Sequence, residues 1–193
     1  TPSRQRIDKE FAVWFSKFCE REDVYLVTGS DRPKTIEQVG EFIYHKCKQV
    51  YQCSGNDVYA GDKNVRTTTV DWHPHTLGFF QRELKRSPYP FRTGIHAEHR
   101  PGLINFSIVG RRASLSQRND YIQWDKQTNE RADIVDRFNK RFPQYQASVA
   151  GHIGIDIVNR GSSKAQIVPD FYRQPEVHFF GDMCGLGGND YEI

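Results

Sequence analysis

Val177-His178-Phe179-Phe180-Gly181-Asp182-Met183-Cys184-Gly185-Leu186-Gly187-Gly188-Asn189-Asp190 runs from a short apolar stretch straight into a glycine-rich loop that carries two carboxylates. Val177 to Phe180 suits an interior strand of a parallel sheet, and Gly181 lets the backbone turn. Asp182 is then delivered at the strand's carboxyl end. Open α/β sheets bind ligands at that edge, and a hard oxygen ligand there suits Mg²⁺. The loop glycines bring Asp190 back toward the same crevice, with Asn189 or Asp190 able to cap a following helix. A glycine-rich turn with a capping aspartate has the same sequence signature, so the fold rests on what stands upstream.

Upstream, helix and strand alternate. Ile7, Phe11, Trp14, Phe15 and Phe18 recur at helical spacing, which predicts an amphipathic helix packed on a sheet. Val24 to Val27 reads as a strand ending in Thr28-Gly29-Ser30-Asp31, with Pro33 where a helix can begin. Thr28 and Ser30 supply hydroxyls there, and the N–H groups opening the next helix attract an anion such as phosphate, although a Ser/Asp cap would look alike. Ile36, Val39, Ile43 and Cys47 predict a second helix, Val50 to Cys53 a further strand, and Val58-Tyr59 a small hairpin. The class is therefore α/β.

The polar run Lys63 to Thr69 breaks this pattern and reads as a hinge. Beyond it come a helix over 74–85, a strand over 104–109, a capping box at Ser114 and Gln117 that places Arg118 in the first turn of its helix, and a helix marked by Ile134, Val135, Phe138 and Phe142. From Ser148 to Val158 residues alternate, with Val149, Ile153, Ile155 and Ile157 facing one way and His152, Gly154 and Asp156 the other. Asn159 to Ser163 makes the returning hinge, and Lys164 follows it directly. The organisation predicted is a core formed by residues 1–66 and 160–193, with an α+β cap over 67–159 inserted between them.

Composition narrows the function. A net charge of +3 without a Lys/Arg run is too small for a nucleic-acid footprint, but the 27 basic residues favour arginine, whose planar fork suits phosphate oxygens. No apolar run approaches the roughly 18 residues that span a bilayer and no signal-peptide pattern opens the chain, so the expectation is a cytoplasmic protein with no membrane partner. Cys19, Cys47, Cys53 and Cys184 form no CxxC pair and read as reduced thiols. Both ends, Thr1 and Ile193, look trimmed.

Four pieces now stand together: Thr28-Gly29-Ser30-Asp31, Lys164, Gly181-Asp182 and Gly187-Gly188-Asn189-Asp190. They resemble motifs two, three and four of the haloacid dehalogenase superfamily. Glu98-His99-Arg100-Pro101-Gly102, Val109-Gly110-Arg111, Arg118 and Gly151-His152-Ile153-Gly154-Ile155-Asp156 extend the likeness, in order and spacing, to the eukaryotic-type α-phosphomannomutases. The resemblance implies a Rossmann-like core that transfers a phosphoryl group and a mobile cap that grips the sugar phosphate. It implies an isomerase exchanging mannose 6-phosphate and mannose 1-phosphate through a phosphoaspartyl enzyme, with Mg²⁺, a hexose 1,6-bisphosphate activator and a homodimer formed through the cap.

By the same resemblance, Thr28, Ser30, Lys164 and Asp182 are catalytic, and Asp182 and Asp190 hold the metal. Arg100, Arg111 and Arg118 bind the distal phosphate, Arg4 contacts substrate from the core, and Asp156 accepts a sugar hydroxyl. The residue types suit phosphoryl transfer independently, since that reaction needs charge neutralised around the moving group.

Two departures stand out. Gly154 occupies a position that is serine in the family, which removes one sugar contact. The family's Asp-x-Asp motif, source of the nucleophile, would end a few residues before Thr1, and the 193 residues contain none. A sugar phosphatase of the same superfamily and an inactive sugar-phosphate-binding module are the alternatives these departures leave open. His73-Pro74-His75 and the pair His96 and His99 lack a third ligand nearby and read as ordinary histidines.

Overall fold

The computed structural model describes residues 5–186 and 188–193 and contains two four-stranded sheets among them. The first sheet is built from β1 (Tyr25–Val27), β2 (Gln49–Gln52), β3 (Asp57–Ala60) and β4 (Lys63–Thr67), in that spatial order. β1 and β2 run parallel, and the remaining pairs are antiparallel. Helices α1 (Lys9–Phe18), α2 (Arg32–Val39) and α3 (Glu41–Lys46) accompany this sheet, burying Val24, Ile43, Tyr44 and Val50.

Local chemistry explains these elements and corrects several expectations. Asp8 and Asp31 cap α1 and α2 by accepting from Phe11 N at 2.9 Å and Lys34 N at 3.2 Å. The single helix predicted across 36–47 is instead α2, starting at Arg32, and α3. Gly40, at φ +83°, cannot continue a helix and divides them. Most of the run read as a hinge, Lys63 to Thr69, is strand β4. All five of its residues are exposed because it is an edge strand, and edge strands carry the polar side chains that made it look like a linker. The aromatic stripe of α1 is less covered than its periodicity predicts: Phe11 and Trp14 stay about half exposed, at 49% and 52%, and stack on Phe15 and Phe18.

The second sheet has the order β5-β6-β8-β7 and is wholly antiparallel, from β5 (Ala97–Arg100), β6 (Leu103–Phe106), β7 (Tyr145–Ala150) and β8 (Gly154–Asn159). The strand predicted over 148–158 is thus a hairpin, turning at Gly151 with φ +51°. Helices α4 (His75–Arg86), α5 (Leu115–Thr128) and α6 (Glu130–Arg141) cover one face. Phe80 lies there between Phe106 and Phe138, with ring centroids 4.6 and 5.9 Å away, above Ile104, Ile155 and Ile157. The capping box at Ser114 forms as predicted, with Gln117 N to Ser114 Oγ at 3.2 Å and Ser114 N to Gln117 Oε1 at 2.9 Å.

The other face of this sheet is polar. Register places Glu98 opposite Asn105, Asn105 opposite Asp156, and Asp156 opposite Ser148, so these four form one row across it. In the adjacent row Leu103 and Val158 pack on Cys53 of the first sheet's unit. The polar face of the cap therefore lies directly on the core.

Lys164 opens a 3₁₀ helix, Lys164–Phe171. The chain beyond it does not form the predicted strand. Residues 177–180 pair with no strand among the described residues, and Phe180 is 89% exposed. An apolar run becomes a strand only where a neighbouring edge supplies its hydrogen bonds, and a groove separates this segment from β1. No helix follows Asp190 in the described residues.

Candidate functional site

β1 ends in the loop Thr28 to Asp31, whose backbone is fastened to the end of β2. Thr28 N donates to Tyr51 O at 2.9 Å, Ser54 N to Thr28 O at 2.8 Å, and Cys53 N to Ser30 O at 3.0 Å. Ser30 N donates to Thr28 Oγ1 at 3.1 Å, which orients the threonine hydroxyl and leaves its O–H able to donate. The loop is thus a rigid platform.

A groove of about 460 Å³ opens beside it, lined by Val27, Thr28, Lys164, Phe179, Asp182 and Asp190. Four of the sequence-predicted residues, Thr28, Lys164, Asp182 and Asp190, are therefore brought together from three distant parts of the chain. Ser30 does not line the groove; its main chain braces the platform from behind. Arg4 and Gly187 lie outside the described residues.

The two carboxylates differ in use. Asp190 is buried, accepts from Lys164 Nζ at 2.5 Å through Oδ1 and from Met183 N at 3.1 Å through Oδ2. It is the counter-ion of Lys164 and the pin of the glycine loop, with both oxygens engaged. Asp182 is exposed. No cluster of three or more metal-ligating side chains occurs among the described residues. Magnesium requires near-octahedral oxygen coordination, and one available carboxylate falls well short of it. The residues described here do not make a Mg²⁺ site by themselves.

From the cap, Glu98 gathers cations. Its Oε1 accepts from Arg100 Nε at 3.2 Å and from Lys34 Nζ, and its Oε2 accepts from Arg111 Nε at 2.7 Å. Arg100 also donates to Gly29 O at 2.5 Å, which ties the cap to the platform. Arg118 is buried rather than displayed on an exposed helix. Its Nε donates to Ala113 O at 3.1 Å and its Nη2 to Arg111 O at 3.4 Å, so it shapes the turn that presents Arg111.

Asp156 faces the core. A Cβ on Gly29 would stand 2.8 Å from its Oδ2, so the close approach of cap and platform depends on that glycine. Asn105 Nδ2 donates to Asp156 Oδ1 at 2.6 Å, while Asn105 Oδ1 is buried without a partner. At Gly154 a Cβ would stand 2.7 Å from Asn105 Nδ2, so Asn105 fills the space a serine side chain would use there.

Sequence reading missed two of these residues. Asn105 was detectable as a lone amide inside the apolar strand Leu103-Ile104-Asn105-Phe106. Lys34 had no such signal, being one lysine in a helical first turn. The histidine pair stays structural: His75 N donates to His73 Nδ1 at 3.2 Å.

The electrostatics set a pH expectation. Burial raises the Glu98 carboxyl, but hydrogen bonds from Lys34 and Arg100 and the charges of Arg100 and Arg111 outweigh it and hold the group at about 2, below its ordinary 4.5. A carboxyl lowered in the folded state contributes stability that is present above its unfolded value and lost as pH falls through the folded one. The contact between cap and core is therefore expected to hold down to about pH 4.5 and to weaken progressively toward about pH 2. Acid titration followed by small-angle scattering checks this, and Glu98→Gln should remove that acid transition. Asp156 works in the opposite sense: burial pushes its carboxyl up, against the pull of Asn105, Arg100, Arg111 and Lys164.

The family model described as eukaryotic phosphomannomutase matches residues 11–193. The chain is 31% identical over 203 residues to the phosphomannomutase of Saccharomyces cerevisiae, and 30% identical over 201 residues to that of Galdieria sulphuraria. In both cases all of this chain aligns with 80% of the relative. Among solved structures, the C-terminal domain of Candida albicans trehalose-6-phosphate phosphatase superposes with a TM-score of 0.61 at 12% identity, over 88% of this chain and 55% of that one. An N-terminally truncated, IMP-bound Plasmodium falciparum IMP-nucleotidase gives a TM-score of 0.55 at 13% identity, over 98% of this chain. The chain spans little more than half the length of these solved structures, which carry the fold alone: an α/β core with a cap.

Proposed function

Because the chain belongs to the eukaryotic phosphomannomutase family, we propose that it exchanges phosphate between mannose 1-phosphate and mannose 6-phosphate. One observation carries the reading. The groove holding Thr28, Lys164 and Asp182 opens next to a cap face whose Arg100 and Arg111 already grip an anion, the carboxylate of Glu98. A sugar phosphate held by those arginines presents its far end to the groove.

In this proposal the residues act as follows. Arg100 and Arg111 bind the distal phosphate by charge-assisted hydrogen bonds, and Arg118 maintains the turn that aims Arg111. Asp156 accepts a sugar hydroxyl. Thr28 and Lys164 stabilise charge on the phosphoryl group, with Asp190 holding the ammonium in place. Asp182 would offer one carboxylate to Mg²⁺, and the ion would supply charge neutralisation. Arg4 as a core contact, a hexose 1,6-bisphosphate activator and a homodimer formed through the cap belong to the same proposal. Light scattering tests the last. No helix in the described residues is long and apolar enough to cross a membrane.

A second reading, as a sugar phosphatase of the same superfamily, is favoured by Asn105 filling the space beside Gly154 where a serine would contact the sugar. A coupled assay of mannose 1-phosphate conversion, run with Mg²⁺ and a hexose bisphosphate, separates the readings. Isomer formation is expected. Phosphate release without isomer indicates a phosphatase, and the absence of any turnover sinks the enzymatic reading.

A further inference from the structure

Lys34 belongs to neither the groove nor the cap, yet it joins them. Its Nζ lies 3.8 Å from Asp31 Oδ2, in the platform loop, and makes an ion pair with Glu98 Oε1 on β5. Glu98 in turn holds Arg100 and Arg111, and Arg100 returns to the platform through Gly29 O at 2.5 Å. These contacts close a ring: Asp31, Lys34, Glu98, Arg100, Gly29. Three members of the ring are core and two are cap, so it exists only while the cap lies on the core.

The charges in the ring explain why Lys34 matters. Two guanidinium groups and one carboxylate leave the Arg100–Glu98–Arg111 set with net positive charge, and the carboxylate must be divided between the two forks. Lys34 makes its contact on Oε1, the oxygen shared with Arg100, leaving Oε2 to Arg111. The side chains of Lys34 and Glu98 are 31% and 22% exposed, so water screens the pair only in part.

We propose that Lys34 is a positioning residue that clasps the cap to the core through Glu98 and thereby fixes Arg100 and Arg111 in the orientation that receives phosphate. The role rests on the reading of those arginines as phosphate ligands, while the clasp itself does not. Lys34 touches no substrate; it acts through Glu98.

The test compares wild type, Lys34→Met and Lys34→Arg by small-angle scattering and by calorimetric titration with mannose 1-phosphate. Lys34→Met is expected to enlarge the radius of gyration in the absence of ligand. It should also raise the dissociation constant about three- to tenfold, the size of a partly screened ion pair acting through a conformational equilibrium. Lys34→Arg should restore compactness and most of the affinity. Because the side chain is at the surface, unchanged melting of Lys34→Met separates loss of the clasp from loss of folding. An unaltered radius in Lys34→Met overturns the clasp, and opening with an unaltered dissociation constant overturns the positioning role. If wild type fails to bind mannose 1-phosphate while Lys34→Met still opens, the clasp stands and the sugar-phosphate reading falls.

Discussion

Gly110→Ala is expected to destabilise the cap by about 3–5 kcal/mol and to lower its melting temperature by more than about 12 °C. Gly110 has φ +89°, a region that a residue with a Cβ enters only under strain. The added Cβ would also stand well inside van der Waals contact of the Thr93 carbonyl oxygen and 3.1 Å from the His96 ring. That carbonyl belongs to the main chain, which cannot rotate aside. Thr93 is itself fixed, donating from N to Val109 O at 2.9 Å and from Oγ1 to the same oxygen at 2.6 Å. The strain therefore falls on the turn that places Arg111, whose N donates to Ile95 O at 2.8 Å. Phosphate affinity should fall together with stability. Gly151→Ala is the control: its φ is +51° but nothing stands within 4 Å of the added Cβ, so only backbone strain of about 1 kcal/mol is expected. Equal losses in the two variants, measured by urea denaturation, would show that the contact with Thr93 contributes nothing.

That turn was partly legible in the sequence. The Ser114 capping box announces the start of a helix and forms as read, whereas the strand read over 104–109 already ends at Phe106 and Gly110 turns at φ +89°. The buried stripes of the cap were legible as well, because Ile155 and Ile157 alternate and Phe138 and Phe142 recur at helical spacing. Where an element buries a continuous apolar face, its periodicity survives in the sequence. The convergence of Thr28, Lys164, Asp182 and Asp190 on one groove was legible only as a set, through its resemblance to a family, since no single member is distinctive.

What could not be read follows from the same physics. β4 and β5 are short and largely polar, one because it is a sheet edge and the other because its Glu98 and Arg100 serve the interface between core and cap. Neither carries the alternation that marks a half-buried strand. The reverse error occurred at Val177 to Phe180, where an apolar run met no partner edge. The division of labour between Asp182 and Asp190 was hidden too. Both sit in one glycine-rich stretch, and only Lys164, 26 residues upstream of Asp190, decides which carboxylate is buried and neutralised.

The pair Lys164 and Asp190 should prove strongly coupled. Their side chains are 9% and 3% exposed, and Asp190 Oδ1 is 2.5 Å from Lys164 Nζ. Removing one partner of a buried ion pair leaves the other charge desolvated and alone, at a cost of about 3–5 kcal/mol, whereas replacing both by apolar groups is often close to neutral. Asp190→Leu is expected to cost most, because it also frees Met183 N and so unpins the loop that Asp190 holds. Lys164→Met should cost less, since Met183 N still donates to the remaining carboxylate. The double variant Lys164→Met/Asp190→Leu should recover a large part of the combined loss, a coupling that a double-mutant cycle by chemical denaturation measures directly. Simple additivity would mean that the two groups are solvated independently and that the buried pair is not what holds the glycine loop. Stability recovered in the double variant while phosphoryl transfer stays lost, with Asp190→Asn keeping part of that transfer, is the outcome that supports the proposed role of Lys164 in the chemistry: an apolar pair would then satisfy the fold, whereas developing charge on a phosphoryl group calls for the ammonium.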